Sequence, residues 1–217
     1  MTMDDHGNGV DIDRLEFRDV VRHPQAHAFV LGRYRLGEYA GVVALQRLLT
    51  EIEPGERLGR AMERHYQDEQ RHSDVFTAWM QRLGATPEPM SPETVEGFFF
   101  GSQEAAQQQR ALAAQLPAEL RRIMVFAGVN AIERLAFTQF ENHLLALDRK
   151  EDIEALKGVM QDERFHLNYV GQELERQQRG PHGEFLANAV EIARQRFAAF
   201  QEARRTEFRT TMERLLG

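Results

Sequence analysis

The chain contains no cysteine, which excludes disulfides, thiolate metal sites, iron–sulfur clusters and thiol nucleophiles together. Any metal it holds must therefore be bound by oxygen and imidazole nitrogen. It also lacks the run of about 18 apolar residues that a membrane-spanning helix needs. Positive charge is not in excess: 34 acidic against 27 basic residues leave a net charge of −7, the wrong sign for a general nucleic-acid binder. The opening stretch MTMDDHGNGVDIDRLEF has no apolar segment of the kind a secretory signal requires, so a cytoplasmic protein is expected. No segment alternates apolar and polar residues with a period of two, so strands are not expected. What is present is 217 residues, 42% of them hydrophobic, ample for one domain with a sizeable core.

The prolines at 24, 54, 87, 89, 92, 117 and 181 leave long tracts rich in Ala, Leu, Glu, Gln and Arg. Such tracts predict helices over about 25–50, 55–83, 118–147 and 150–178. Glu53-Pro54-Gly55 marks the first turn, Leu83-Gly84 the end of the second helix, and Asp148-Arg149-Lys150 the break between the last two. Residues 85–117 read as a crossover carrying one short helix at about 102–115, and an amphipathic helix at about 183–215 follows Gly180-Pro181. The expected fold class is all-α: a four-helix bundle over 25–178, with one long crossover after the second helix and an additional C-terminal helix. Helices of this length suit a bundle in up-down-down-up order. Residues 1–24 form a polar N-terminal segment. The last helix is expected to cover the bundle or a neighbouring subunit.

Two segments are alike: Asp68-Glu69-Gln70-Arg71-His72 and Asp162-Glu163-Arg164-Phe165-His166. In a helix, Glu and the His three residues on lie about 60° apart on one face, so both can reach one ion. Chance in this composition yields about one Glu-x-x-His but only roughly 0.04 Asp-Glu-x-x-His, and the chain has two. Glu38 precedes Glu69 by 31 residues and Glu133 precedes Glu163 by 30, which marks an internal duplication of a helix hairpin. The midpoints of the two pairs fall at the expected turns, so each Glu faces its Glu-x-x-His partner across its hairpin. Glu133 follows an almost wholly apolar stretch, Ile123 to Ile132, where an uncompensated carboxylate costs several kcal/mol. Any one of these residues alone reads as an interhelical salt bridge; six in register on four helices read as a dinuclear metal site. Four carboxylates and two neutral imidazoles would carry −4, which two divalent cations cancel, and without cations some carboxylates must take up protons. Oxygen and nitrogen donors without sulfur suit Fe or Mn, with Zn as a substitute.

This pattern resembles the ferritin-like superfamily of non-haem di-iron carboxylate proteins, in its oxygen-activating branch, and the likeness covers roughly residues 25–178. The resemblance implies a site of two Fe ions, or Mn, or a mixed pair. By it Glu69 and Glu163 bridge the metals, Glu38 and His72 cap one ion, and Glu133 and His166 cap the other. Asp68 and Asp162 then stand behind the ligands, each accepting a hydrogen bond from the His of the opposite motif. Arg71 completes the Asp-Glu-x-Arg-His form seen in oxygen-activating members, from which the second motif departs at Phe165. The implied activity is an oxygenase or oxidase that uses O2 on a small organic substrate, with an external electron donor and a homo-oligomer as its setting. A dimer is the expected oligomer. Small tRNA-hydroxylating members are similar in size, but the net acidity disfavours tRNA as substrate.

Two other functions share the superfamily. A rubrerythrin-like peroxide reductase would carry a further Glu where this chain has Asn130, and often a Cys-rich unit. A ferroxidase or iron-storage subunit would carry an acidic nucleation cluster at its helix ends, which is not evident here. Tyr34, Val42, Phe76, Asn130, Phe137, Val159 and Val170 are expected near the metals, one turn from ligands. Phe98-Phe99-Phe100 reads either as a lid over an apolar pocket or, with slight preference, as a plug at the bundle end. His65 is assigned a place behind the ligands or at the surface, and His23, His27, His143 and His182 are expected to face solvent without a role.

Overall fold

The helices begin and end where backbone chemistry dictates. The structure, a computed structural model, describes residues 17–51, 56–100 and 102–216, and every regular element among them is a helix. A short α1 (Phe17–Arg22) leads into α2 (Pro24–Leu49), α3 (Arg57–Arg82), α4 (Pro92–Phe100), α5 (Gln103–Ala114), α6 (Ala118–Leu144), α7 (Lys150–Gln178) and α8 (Gly183–Leu216). Pro24 opens α2 in its first turn, where a missing N–H costs nothing. Gly84, at φ 79°, closes α3: its N–H reaches the Gln81 carbonyl, and that of Ala85 reaches Met80, both at 3.0 Å. This left-handed closure is easy for glycine alone. Ser91 caps α4 through the Thr94 N–H at 3.2 Å, and Ser102 caps α5 through Ala105 at 3.1 Å.

The long helices fall within a few residues of the spans expected, and the all-α class holds. The crossover differs: it carries two helices rather than one, because the Ser91 cap and Pro92 start α4 ahead of the aromatic run. Of the polar segment expected over 1–24, residues 1–16 lie outside the described residues, as does the turn at Glu53-Pro54-Gly55. No described helix is long and apolar enough to cross a membrane.

Four helices form the bundle, with α2 beside α3 and α6, and α7 beside α6 and α3. Neighbours run in opposite directions. Along α2 and α6, His27 meets His143 and Tyr34 meets Phe140; along α3 and α7, Arg71 meets Asp162 and Arg82 meets Asp152. Apart from a third piece where α8 meets α6, the apolar core has two main pieces within the four-helix bundle. One holds Leu31, Tyr34, Phe76, Trp79, Phe140 and Val159. The other holds Leu45, Met62, Phe126, Val129 and Val170. The positions between these pieces, 38 on α2, 65–72 on α3, 133 on α6 and 163–166 on α7, carry the polar residues of interest.

The last helix, α8, lies against the bundle itself and is pinned at its two ends. Leu186 and Ala189 pack on Ile123 and Ala127 of α6, and Met212 enters the core beside Val20 and Ala26. These three are the buried residues of α8, so its middle stands off α2 and α6. Phe98 and Phe99 of α4 fill part of the gap, Phe99 stacking on Phe200 at 5.0 Å and Phe98 meeting it edge-on at 5.1 Å between ring centroids. The aromatic run therefore walls a space beside the bundle and does not plug its end.

Candidate metal centre

Helix periodicity assembles the polar band. His65, Glu69 and His72 follow at steps of four and three along α3, and Glu163 and His166 at three along α7, so each set faces inward together. Glu38 and Glu133 enter from α2 and α6. Glu38, Glu69, His72, Glu133, Glu163 and His166 are each no more than 6% exposed. The six residues singled out by spacing thus meet in one buried cluster, joined by His65.

Two groups of donors overlap there. Glu38, Glu69, His72 and Glu163 form one, and His65, Glu69, Glu133 and His166 the other, with one donor atom from each residue all within 4.8 Å of one another. Glu69 belongs to both. His72 Nδ1 lies 3.0 Å from Glu38 Oε2 and 3.1 Å from Glu163 Oε1. On the far side His166 Nδ1 lies 3.1 Å from Glu163 Oε2 and 3.4 Å from Glu69 Oε1. Glu163 thus turns one oxygen to each imidazole.

The outward ring nitrogens are held crosswise. His72 Nε2 is 3.4 Å from Asp162 Oδ2, and His166 Nε2 is 3.3 Å from Asp68 Oδ2. Arg71 donates to both acids, at 2.6 Å to Asp162 and 2.8 Å to Asp68. Arg64 reaches the same two acids at 3.5 and 3.6 Å, with its guanidinium 3.9 Å above the Phe165 ring. Arg64 was not legible as part of this clamp. It stands one turn before Asp68 on α3, but its second partner, Asp162, is on α7.

Burial and close neighbours shift the proton affinity of most groups in the cluster. Burial first, then the charges of Glu38, Glu133 and Glu163, push the Glu69 carboxyl well above the carboxylate range. Burial and the Glu163 charge raise Glu133 to about 7. Burial would also raise Glu163, but hydrogen bonds with Glu133, His166 and His72 outweigh it and hold that carboxyl below its ordinary value. Burial opposes charge on His72, yet its bonds to Glu163 and Glu38 lift it to about 11; Asp68 and Glu163 likewise lift His166 to about 9. A cluster that gathers protons onto imidazoles and carboxyls to offset like charges is one that divalent cations fit. The mixed oxygen and nitrogen donors are suited to a metal ion.

Several assignments need correction. His65 is not at the surface: it is fully buried, with Nε2 2.8 Å from Glu69 Oε1 and 3.0 Å from Glu133 Oε1. Its Nδ1 sits 2.7 Å from the Tyr169 hydroxyl, and its ring stacks on His166 at 3.5 Å. Burial pushes this imidazole down to about 4. The i, i+4 step to Glu69 was the available signal. His27 and His143 do not face solvent either. They are buried, with Nε2 atoms 3.0 Å apart, because the same stripes that bring Tyr34 to Phe140 bring them together. His182 does lie nearer the surface, 3.1 Å from Glu119, and His23 is exposed.

Of the residues expected one turn from the ligands, Tyr34 lines a chamber of about 130 Å³ that also touches Glu38, Glu69 and Glu133. Phe76, Val159 and Val170 belong to the apolar core on either side. Val42 is buried, while Asn130 and Phe137 are half-buried. The chain matches no family model, no curated protein and no solved structure.

Proposed function

We propose that the chain is a ferritin-like di-metal oxidoreductase that uses O2 to oxidise or hydroxylate an organic substrate. The observation that carries the reading is the pair of buried four-donor groups sharing Glu69, built from two Asp-Glu-x-x-His helices and two lone glutamates. The antiparallel neighbours α2/α6 and α3/α7 support the up-down-down-up order of that superfamily.

In this reading Glu38, Glu69, His72, Glu133, Glu163 and His166 would hold two iron ions, with His65 as a further nitrogen donor on the Glu133 side. Bound iron would supply the reducing equivalents for O2, an external donor restoring them. The chain's own residues do the rest. Asp162 and Asp68 accept the Nε2–H of His72 and His166, which leaves each Nδ1 lone pair turned to the centre. Arg71 and Arg64 fix the two acids. Tyr169 holds the outer nitrogen of His65, and the core on either side keeps bulk water away. The chamber beside Glu38, Glu69 and Glu133 leaves room for a reactant.

Anaerobic iron titration followed by exposure to O2 tests the reading. Two ions per chain, proton release on uptake and a transient visible absorption after O2 are expected. Uptake of fewer than two ions, or iron that ignores O2, refutes it.

A further inference from the structure

The stand-off of α8 encloses a cavity of about 770 Å³ between α2, α4, α6 and α8, within the range of sites for medium-sized organic ligands. Ala40, Ala44, Ile132, Phe98, Phe99 and Phe197 wall both it and the small chamber against Glu38, Glu69 and Glu133, so the two spaces adjoin. The inner chamber opens on the candidate metal centre, and the wall of the outer cavity carries arginine. Arg47, Arg196 and Arg204 line the outer cavity, and Glu96 is the carboxylate among its lining residues. Glu96 is already shared by Arg47 and Arg110, and Glu207 by Arg33 and Arg204. Arg196 is exposed and makes no ion pair among the described residues, and Arg204 Nε is buried without a hydrogen-bond partner. Three arginines against one carboxylate line the outer cavity of a chain whose net charge is −7.

We infer that this cavity binds an organic acid with a long unbranched apolar tail, its carboxylate held at the rim by Arg196 and Arg204 and its tail directed toward the metal centre. A wall built mostly of Ala, Val, Ile, Met and Phe, with Asn188 as its one amide, selects a hydrocarbon chain, and the unspent guanidinium capacity selects an anion. That the acid is the molecule oxidised rests on the di-metal reading; its binding does not.

Calorimetric titration of the metal-free protein with decanoate, hexanoate and decan-1-ol tests this, with iron uptake measured separately so that each reading fails on its own. Each methylene removed should weaken binding about fourfold, so hexanoate should bind on the order of 100-fold more weakly than decanoate. Decan-1-ol should bind at least about tenfold more weakly, the cost of losing the charge-assisted bond. Arg196→Glu should abolish that preference for the acid while leaving decan-1-ol binding intact, which also reports that the variant is folded. Gly128→Leu should block both long ligands: a Cβ at Gly128 meets nothing within 4 Å, so the added side chain enters the cavity without disturbing α6. Decan-1-ol binding as tightly as decanoate, or Arg196→Glu leaving the preference unchanged, overturns the proposal. So does a chain that sediments as a dimer and binds none of the three, which would make the groove a self-contact.

Discussion

Gly41 is the position where one methyl group separates metal binding from folding. A Cβ built there would lie 2.5 Å from Glu69 Oε2, 2.8 Å from its Cδ and 3.0 Å from its Cγ. Restoring ordinary van der Waals contact requires the carboxylate to withdraw by roughly 1 Å. Glu69 is the residue common to both donor groups, so Gly41→Ala should weaken both ions at once. Loss of affinity of at least about tenfold is expected, the scale seen when a group that orients a ligand is removed. The metal-free fold should change far less, because the gain of about 0.5–1 kcal/mol that alanine brings to a helix interior is offset by the shift forced on buried Glu69. Gly37, one turn earlier on α2, has nothing within 4 Å of its Cβ position, so Gly37→Ala should show the helical gain alone. Chelator competition measures the affinities, and chemical denaturation of the metal-free proteins measures the stabilities. A Gly41→Ala protein that binds both ions as tightly as the unsubstituted chain refutes the argument.

Glu133→Ala should reduce the bound metal from two ions per chain to one, read by elemental analysis after dialysis, and full occupancy would contradict the assignment. Arg71→Ala should leave Arg64 as the one arginine on Asp68 and Asp162 and weaken metal binding about tenfold, measured by the same competition titration; unchanged affinity would make the clamp incidental. The buried His27–His143 pair should make the fold acid-sensitive. Burial lowers the two imidazoles to about 4 and about 3, so between pH 6.5 and 4 the folded chain holds fewer protons than the unfolded one. Stability present above pH 6.5 is therefore lost as the pH falls through that window, by up to about 3 kcal/mol for His27. Replacing both histidines with leucine should flatten the dependence in denaturation curves, and an unchanged slope would place its origin elsewhere.

The helices were legible because their signals are local. Pro24, Gly84 and Gly180-Pro181 act on their own backbone, and the spacing of Glu and His acts within a helix face. The cluster was legible for a related reason: a duplicated motif carries its register with it, so the hairpin midpoints located partners on other helices. Residues whose role depends on an unduplicated neighbour were not. His65 has no counterpart in the second hairpin, and its partners Glu133 and Tyr169 come from α6 and α7. His27 lies in an apolar stretch, Ala26 to Val30, and His143 follows Phe140 by one turn, yet only the crossing of α2 and α6 pairs them. The outer cavity was invisible for a different reason. It arises from where α8 fails to touch the bundle, and an amphipathic pattern specifies a contact face but not a stand-off.

The departures from the duplication are concentrated at one side of the centre. At the offset that maps Glu69 onto Glu163, His65 corresponds to Val159 and Tyr169 to Val75. The exchange gives the Glu133 side a second imidazole with a phenol behind it and leaves the Glu38 side with three carboxylates and one imidazole. The two donor groups therefore differ in charge and in softness, although the helices that carry them are copies. Carboxylate-rich sites suit Mn and imidazole-rich sites suit Fe or Zn, so the asymmetry provides a physical basis for unequal occupancy of the two positions. Gly41 follows the same logic, since its counterpart on α6 is Ala136. The first hairpin offers backbone room at Gly41 beside Glu69, the residue that enters both donor groups.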